Sequence, residues 1–220
     1  MKDTFPMQRE YFNNLEVIHS IAEIKIEWPY IFETDYLRQH FEELMGLKSD
    51  TFAENFLNTK EKIFLFFKKF IKNPVVDDSS ERSILTGIAK YFNEDLGFLL
   101  LDFEFGLKVD SIVARVPTNT PFIAFVEDDA TGGKVVAYIL IEKTIVSKIE
   151  NCNLLLNLQL VINFFFVLNI IYPREISQTL EFLVRFFYKH YPISTRGKKK
   201  NINSLQKVNS FISKITAFEQ

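Results

Sequence analysis

Residues 153–191 read NLLLNLQLVINFFFVLNIIYPREISQTLEFLVRFFYKHY, and no other stretch constrains the fold as strongly. A helix over Leu154–Tyr172 is apolar almost all round, so it has no face to offer water. Such a helix lies in a protein core or in a membrane, and its length is near the minimum for a span. Asn157, Gln159, Asn163 and Asn169 decide between the two. At 100° per residue they fall on several faces, and four amides spread around a helix are costly in lipid. The stretch therefore reads as a buried core helix, and no membrane association is expected. Pro173 joins it to a second helix, either within that helix's first turn or in the link before it. Ile176, Leu180, Leu183, Val184 and Phe187 give the second helix one apolar face, and Pro192 stops it.

A chain of 220 residues with 47% hydrophobic residues can bury a sizeable core without disulfides or metals. The 24 phenylalanines, beside many Ile, Asn and Lys, read first as the mark of an AT-biased coding sequence, and they predict a Phe-rich core. A net charge of −2 argues against a globally basic nucleic-acid binder but not against a local basic patch. Cys152 is the single cysteine, so no intrachain disulfide forms, and an intracellular location, cytoplasm or nucleus, is expected. The opening residues MKDTFPMQREYFNN lack the apolar segment of a secretory signal.

The N-terminal half reads as helical. Residues 1–20 form a lead-in, and Leu15, Ile18, His19 and Ala22 predict a helix from near Asn14 until Trp28-Pro29 breaks it. The pattern resumes over Tyr30–Leu44 and closes at Gly46. Asp50 or Thr51 opens a helix whose apolar stripe runs from Phe52 to Phe70 and Ile71. NPVVDDSS at 73–80 is a loop, and Ser79 or Ser80 caps a helix with Ile84, Leu85, Ile88, Ala89 and Phe92 on its buried side. The run 98–103 fits a helix end or a strand equally. Further on the period changes: Phe122–Val126, Val135–Ile141 and Thr144–Ile149 read as two or three antiparallel strands, with a tight turn at Glu142-Lys143. So small a sheet needs helices to cover it. Leu205, Val208, Ile212 and Ile215 mark a last amphipathic helix.

Chemistry-bearing residues are few. His19, His40 and His190 share no ligand spacing with Cys152, so no zinc site is expected. Cys152 opens a helix, where a thiolate is favoured, but no histidine is near it in sequence, and an inert cysteine is the preferred reading. Glu127, Asp128 and Asp129 are the candidate metal ligands or acid–base pair; a plain surface loop before Thr131-Gly132-Gly133 is preferred. Two glycines do not make a phosphate loop, and no cofactor is expected. Lys60, Lys62, Lys68, Lys69 and Lys72 form a basic helix face, and Arg196, Lys198, Lys199 and Lys200 a basic loop. Both read first as solvated surface and second as contacts to nucleic acid or an acidic partner.

PFIAFVEDDATG, VVAYILIEKTIV, LNIIYPREISQTLEFLVRFFYKHYP and SLQKVNSFISKI occur in an order that resembles the poorly characterised fish and invertebrate proteins similar to sterile alpha motif domain-containing protein 3, in their region without the sterile alpha motif. Glu127, Asp128, Asp129, Glu142, Asn169, Tyr172, Pro173, Arg174, Thr179, Glu181, Lys207 and Val208 carry the similarity, with Trp28-Pro29 and SILTGIAKYFNED earlier in the chain. The resemblance covers roughly residues 24–215 and implies no catalytic activity. An adaptor role or descent from mobile elements would fit it. The Asn169–Arg174 joint is its most specific part and reads as structural, with Asn169 near one helix end and Pro173 opening the next.

The fold expected is α+β and predominantly helical: a helical region at 1–80 and an α+β region at 81–220, or one continuous domain, with the sheet at about 122–149 packed on C-terminal helices. The leading function is a non-catalytic intracellular interaction or regulatory module with an unidentified protein partner. A nucleic-acid-associated protein and a carboxylate–metal enzyme are the alternatives.

Overall fold

The structure, a computed structural model, describes residues 4–14, 16–17, 19–71, 76–104, 106–128, 134–150, 153–191 and 202–219. In chain order its elements are α1 (Phe5–Asn13), α2 (Ile21–Glu27), α3 (Thr34–Met45), α4 (Thr51–Phe70), α5 (Glu81–Phe92), β1 (Leu100–Phe103), α6 (Val109–Arg115), β2 (Phe122–Asp128), β3 (Lys134–Ile141), β4 (Thr144–Ile149), α7 (Leu154–Val167), α8 (Ser177–Phe187) and α9 (Ile202–Ala217). They divide into two units that alternate along the chain. Unit 1 is Met1–Ser49 with Gly97–Ile171, and unit 2 is Asp50–Leu96 with Tyr172–Gln220. Neither coincides with residues 1–80 or 81–220.

Unit 1 contains the sheet. The three strands expected within 122–149 form, with β2 antiparallel to β3 and β3 to β4. The ambiguous run 98–103 contributes a fourth, β1, which pairs parallel to β2, so the sheet is mixed and ordered β1-β2-β3-β4. Parallel neighbours require a crossover, and α6 supplies it. Its Ile112, with Val116 just beyond, buries against Phe122, Ala124, Val126 and Leu140, the even-numbered side of the sheet. Strand alternation sends Ile123, Phe125, Ala137, Ile139 and Ile141 to the opposite face, and α7 packs against β2 and β3. No periodic pattern announces α6, because it is only seven residues long and Pro117 follows it closely.

The buried reading of α7 holds: twelve of its fourteen residues are buried. Among the described residues no helix is long and apolar enough to cross a membrane. Asn153 caps its start by accepting the Leu156 N–H at 3.1 Å. It stops at Val167, short of Tyr172, because Asn169 adopts a left-handed conformation (φ 53°). The Asn169 and Ile170 N–H groups turn back to the carbonyls of Phe166 (3.3 Å) and Phe165 (3.0 Å), the paired bonds of a Schellman ending. The Asn169 amide also donates to the Phe12 carbonyl at 3.4 Å, so its job at the joint is structural. Pro173 lies in the link, ahead of α8 at Ser177.

The N-terminal helices attach to this core through polar contacts at helix ends. Residues 5–13 make α1, and a Ser20–Glu23 capping box starts α2 at Ile21, later than the start expected near Asn14; the helix ends at Trp28 as expected. Glu142 and Lys143 both have positive φ (51° and 56°), as a two-residue primed hairpin requires. That turn presents the Glu142 carboxylate to the Ile21 N–H at 2.9 Å, at the start of α2. Arg9 donates to the Val167 carbonyl at 2.6 Å, placing its positive charge on the C-terminus of α7.

Unit 2 holds α4, α5, α8 and α9 around an aromatic core. Phe56 and Phe187 approach to 4.8 Å between ring centroids, Phe182 and Phe211 likewise to 4.8 Å, and Tyr91 stacks on Phe211 at 3.8 Å. The Phe-rich core is thus mostly a helix–helix interface. Ser80 caps α5, and Asn93 ends it in a left-handed turn (φ 59°). The residue after that turn, Glu94, has a second task. Its carboxylate accepts the N–H groups of Gln178 and Thr179, both at 2.8 Å, and so caps α8 from elsewhere in the chain. Within α8, Glu181 and Arg185 form a buried ion pair at 2.6 Å.

Two substitutions test this packing. A Cβ at Gly87 would overlap Val76 and come within 2.9 Å of the Phe67 ring. Gly87→Ala, despite the better helix propensity of alanine, should destabilise the protein by about 1–3 kcal/mol in urea unfolding. Glu94→Ala strips the start of α8 of its acceptor and should cost about 1–3 kcal/mol in the same assay, whereas alanine at the exposed Glu54 should be near neutral.

Candidate functional site

The stripe of α4 expected to be core does not stay buried to its end. Phe66 and Phe67 are inside, but Phe70 is 56% exposed. It stands beside Phe66 and Phe218, at ring-centroid separations of 5.0 and 5.8 Å. With Ile71, Tyr91 and Ala217 these rings line an open groove of about 720 Å³ at the ends of α4 and α9. Lys69 and Lys214 are also part of its wall, as is Glu219. The Lys69 ammonium lies 5.3 Å from the Phe218 ring and 5.6 Å from Phe70, positioned as a cation over aromatic faces. Lys62 fixes the end of α9 by donating to the Thr216 carbonyl at 3.0 Å. The groove is therefore apolar at its base with positive charge at its rim, a chemistry suited to an aromatic or aliphatic group flanked by acids.

The predicted basic face divides on the helix. At 100° per residue Lys60 and Lys68 share one side of α4, and Lys62 and Lys69 lie on another. Lys68 rests over the Phe64 ring at 4.5 Å. Lys72, Arg196, Lys198, Lys199 and Lys200 lie outside the described residues. Of the acidic cluster, Glu127 is exposed on β2 and Asp128 ends that strand, while Asp129 lies outside the described residues, as does Cys152. Among the described residues no three His, Cys, Asp or Glu side chains are grouped to hold a metal ion.

Unit 1 has a different kind of site, which no sequence motif announces. Two of the amides that argue against lipid, Gln159 and Asn163, converge inside the protein. Gln159 and Asn163 both donate to the Ser49 hydroxyl, at 3.0 and 3.1 Å, and Ser49 is only 1% exposed. Ser49 is held in turn by its own N–H, which donates to the Glu42 carboxylate at 2.9 Å. Beside this cluster is a pocket of about 210 Å³ between α3, α7 and the end of β4, lined by Thr34, Arg38, Ser49, Ile149, Leu156, Asn157, Gln159 and Leu160. The amides of α7 are visible in the sequence, but that Gln159 and Asn163 meet one serine depends on the loop after α3.

His40 of α3 is fully buried and neither ring nitrogen has a hydrogen-bond partner. Its ring sits 4.8 Å from Phe5 and 6.4 Å from Phe12. Burial, reinforced by the nearby Arg9 charge, pushes its pKa down to about 4.

Comparison of the chain with protein-family models, with curated proteins and with solved structures finds no match.

His40 generates a prediction with a definite sign. Above its ordinary pKa of 6.5 the histidine is neutral folded and unfolded, and contributes nothing. Below 6.5 the unfolded chain takes up a proton that the folded protein refuses, so stability falls until about pH 4, where both forms are protonated. The loss should reach on the order of 3 kcal/mol. His40→Phe should remove that part of the slope in urea titrations between pH 7.5 and 4; parallel curves for the two proteins would show the histidine is not responsible.

Proposed function

We propose that the protein is a non-catalytic intracellular protein-interaction module, and that the groove of unit 2 takes a short acidic segment of a partner protein with an aromatic or large aliphatic anchor. The observation that carries this reading is the exposed Phe70 at the edge of an apolar groove whose wall includes Lys69 and Lys214. Exposing a phenylalanine that the helix pattern could have buried sacrifices apolar burial worth roughly 1–2 kcal/mol, which a binding role explains. Charge complementarity selects an acidic segment, and Glu219 on the same wall favours one direction of it. Single-cysteine usage supports an intracellular setting. The resemblance to the proteins similar to sterile alpha motif domain-containing protein 3, with no catalytic activity implied, points the same way.

Selection of a displayed random peptide library on the purified protein tests the reading. Enriched peptides should carry an aromatic or leucine anchor with flanking Asp or Glu. Their affinity should fall about tenfold or more in Phe70→Glu, and should weaken as salt rises. Exchanging both lysines in Lys69→Glu/Lys214→Glu should shift the selection toward basic flanks. Failure to enrich any sequence, or equal binding to Phe70→Glu, would remove the groove as the interaction site.

A further inference from the structure

We propose that the outward face of α4 pairs with the same face of a second copy of this chain, the two helices running antiparallel. α4 packs on α5, α8 and α9 and buries Phe52, Phe56, Ile63, Phe66 and Phe67. At 100° per residue those five side chains share one sector about 100° wide. Leu57, Phe64 and Leu65 share a sector of the same width on the opposite side. Leu57 is 49% exposed, Leu65 is 41% exposed and Phe64 is half-buried. Leu57 and Phe64 are one heptad apart and Leu65 adjoins them, so the three make a stripe about 12 Å long. That is the spacing of a helix-pairing seam, whereas ordinary exposed apolar residues are scattered singly.

The charges choose the occupant. Glu54, Glu61 and Lys68 stand in the sector of the apolar stripe, and Lys60 borders it. Among the described residues none of these four makes an ion pair within the chain; Lys68 rests over the Phe64 ring at 4.5 Å. Two acids against two bases give the face no net sign, so it selects neither an acidic nor a basic partner. Along the helix the order is acid, base, acid, base, and read backwards that order is its own complement. A two-fold axis between Lys60 and Glu61 sets Glu54 near the partner's Lys68, Glu61 opposite the partner's Lys60, and Leu57 opposite the partner's Phe64. Parallel pairing would set each charge against its own copy. α4 has 20 residues and is about 30 Å long, so the paired strip falls at the low end of interface sizes and the dimer is weak.

Sedimentation velocity of the full chain tests this. Between about 1 and 300 µM it should show a monomer–dimer equilibrium with a Kd on the order of 10–100 µM. Leu65→Glu should keep the protein monomeric throughout. Glu54→Lys and Lys68→Glu should each weaken the dimer about fivefold or more, and the double variant Glu54→Lys/Lys68→Glu should bring the affinity back near its starting value. Phe70→Glu, at the groove, should leave self-association unchanged, so failure of this pairing and failure of the peptide groove are separately visible. A monomer over the whole range would overturn the proposal, leaving the face to another protein or to water. So would a dimer indifferent to Leu65→Glu, or one that the double exchange does not restore. Recovery in the double variant also answers any misfolding in the single ones, because a second charge exchange on an exposed face does not refold a chain.

Discussion

A helix with no polar face has to be enclosed, and α7 makes that demand of unit 1. A sheet on one side and α3 on another are the response: Phe32 meets Phe164 at 6.0 Å and Phe41 meets Phe166 at 5.8 Å. Each large apolar side chain so buried contributes roughly 1.5–3 kcal/mol. The three buried amides work against that gain, because each polar group taken from water costs about 1–3 kcal/mol unless it is bonded. The Ser49 hydroxyl, carried in by the loop after α3, takes one bond from each of two of them, and the Asn157 amide donates to the Asn153 carbonyl at 2.9 Å. The polar pocket thus follows from the most hydrophobic element of the chain.

Helix ends supply a second theme. Several are completed by a side chain from a distant part of the sequence, and the charge has the sign the helix dipole favours. Glu94 and Glu142 serve the N-termini of α8 and α2. Arg9 and Lys62 serve the C-terminal carbonyls of α7 and α9. Other residues belong to this system or to the core beside it. Glu142 and Asn169 finish helices, Thr179 receives the Glu94 cap, Glu181 pairs with Arg185, and Val208 is buried.

The parts legible in the sequence were those with a strong local signal. The hairpin β3–β4 was readable from β-branched runs around Glu142-Lys143, α7 from its apolar length, and the start of α5 from Ser80. The α+β class followed from those elements. What was missed depends on distant partners. β1 could be a strand only once β2 lay beside it, and α6 is too short to show a period. Phe70 carried the same helical spacing as its buried neighbours, and nothing local said that the stripe would emerge at the surface. Ser49 belongs to no motif; it meets Gln159 and Asn163 only because the loop after α3 folds onto α7.

The alternation of the two units along the chain has a consequence for biogenesis. The chain passes from one unit to the other at 49/50, 96/97 and 171/172. A nascent polypeptide that has emerged as far as residue 96 therefore holds only the first portion of each unit, and neither can complete its core. Unit 1 waits for α7 to appear, and until then α3 has no α7 to cover it. Both units consequently mature late, after long stretches of aromatic-rich sequence have been exposed. Cutting the chain once near its middle yields two fragments that each contain half of both cores, so neither fragment corresponds to a self-sufficient folding unit.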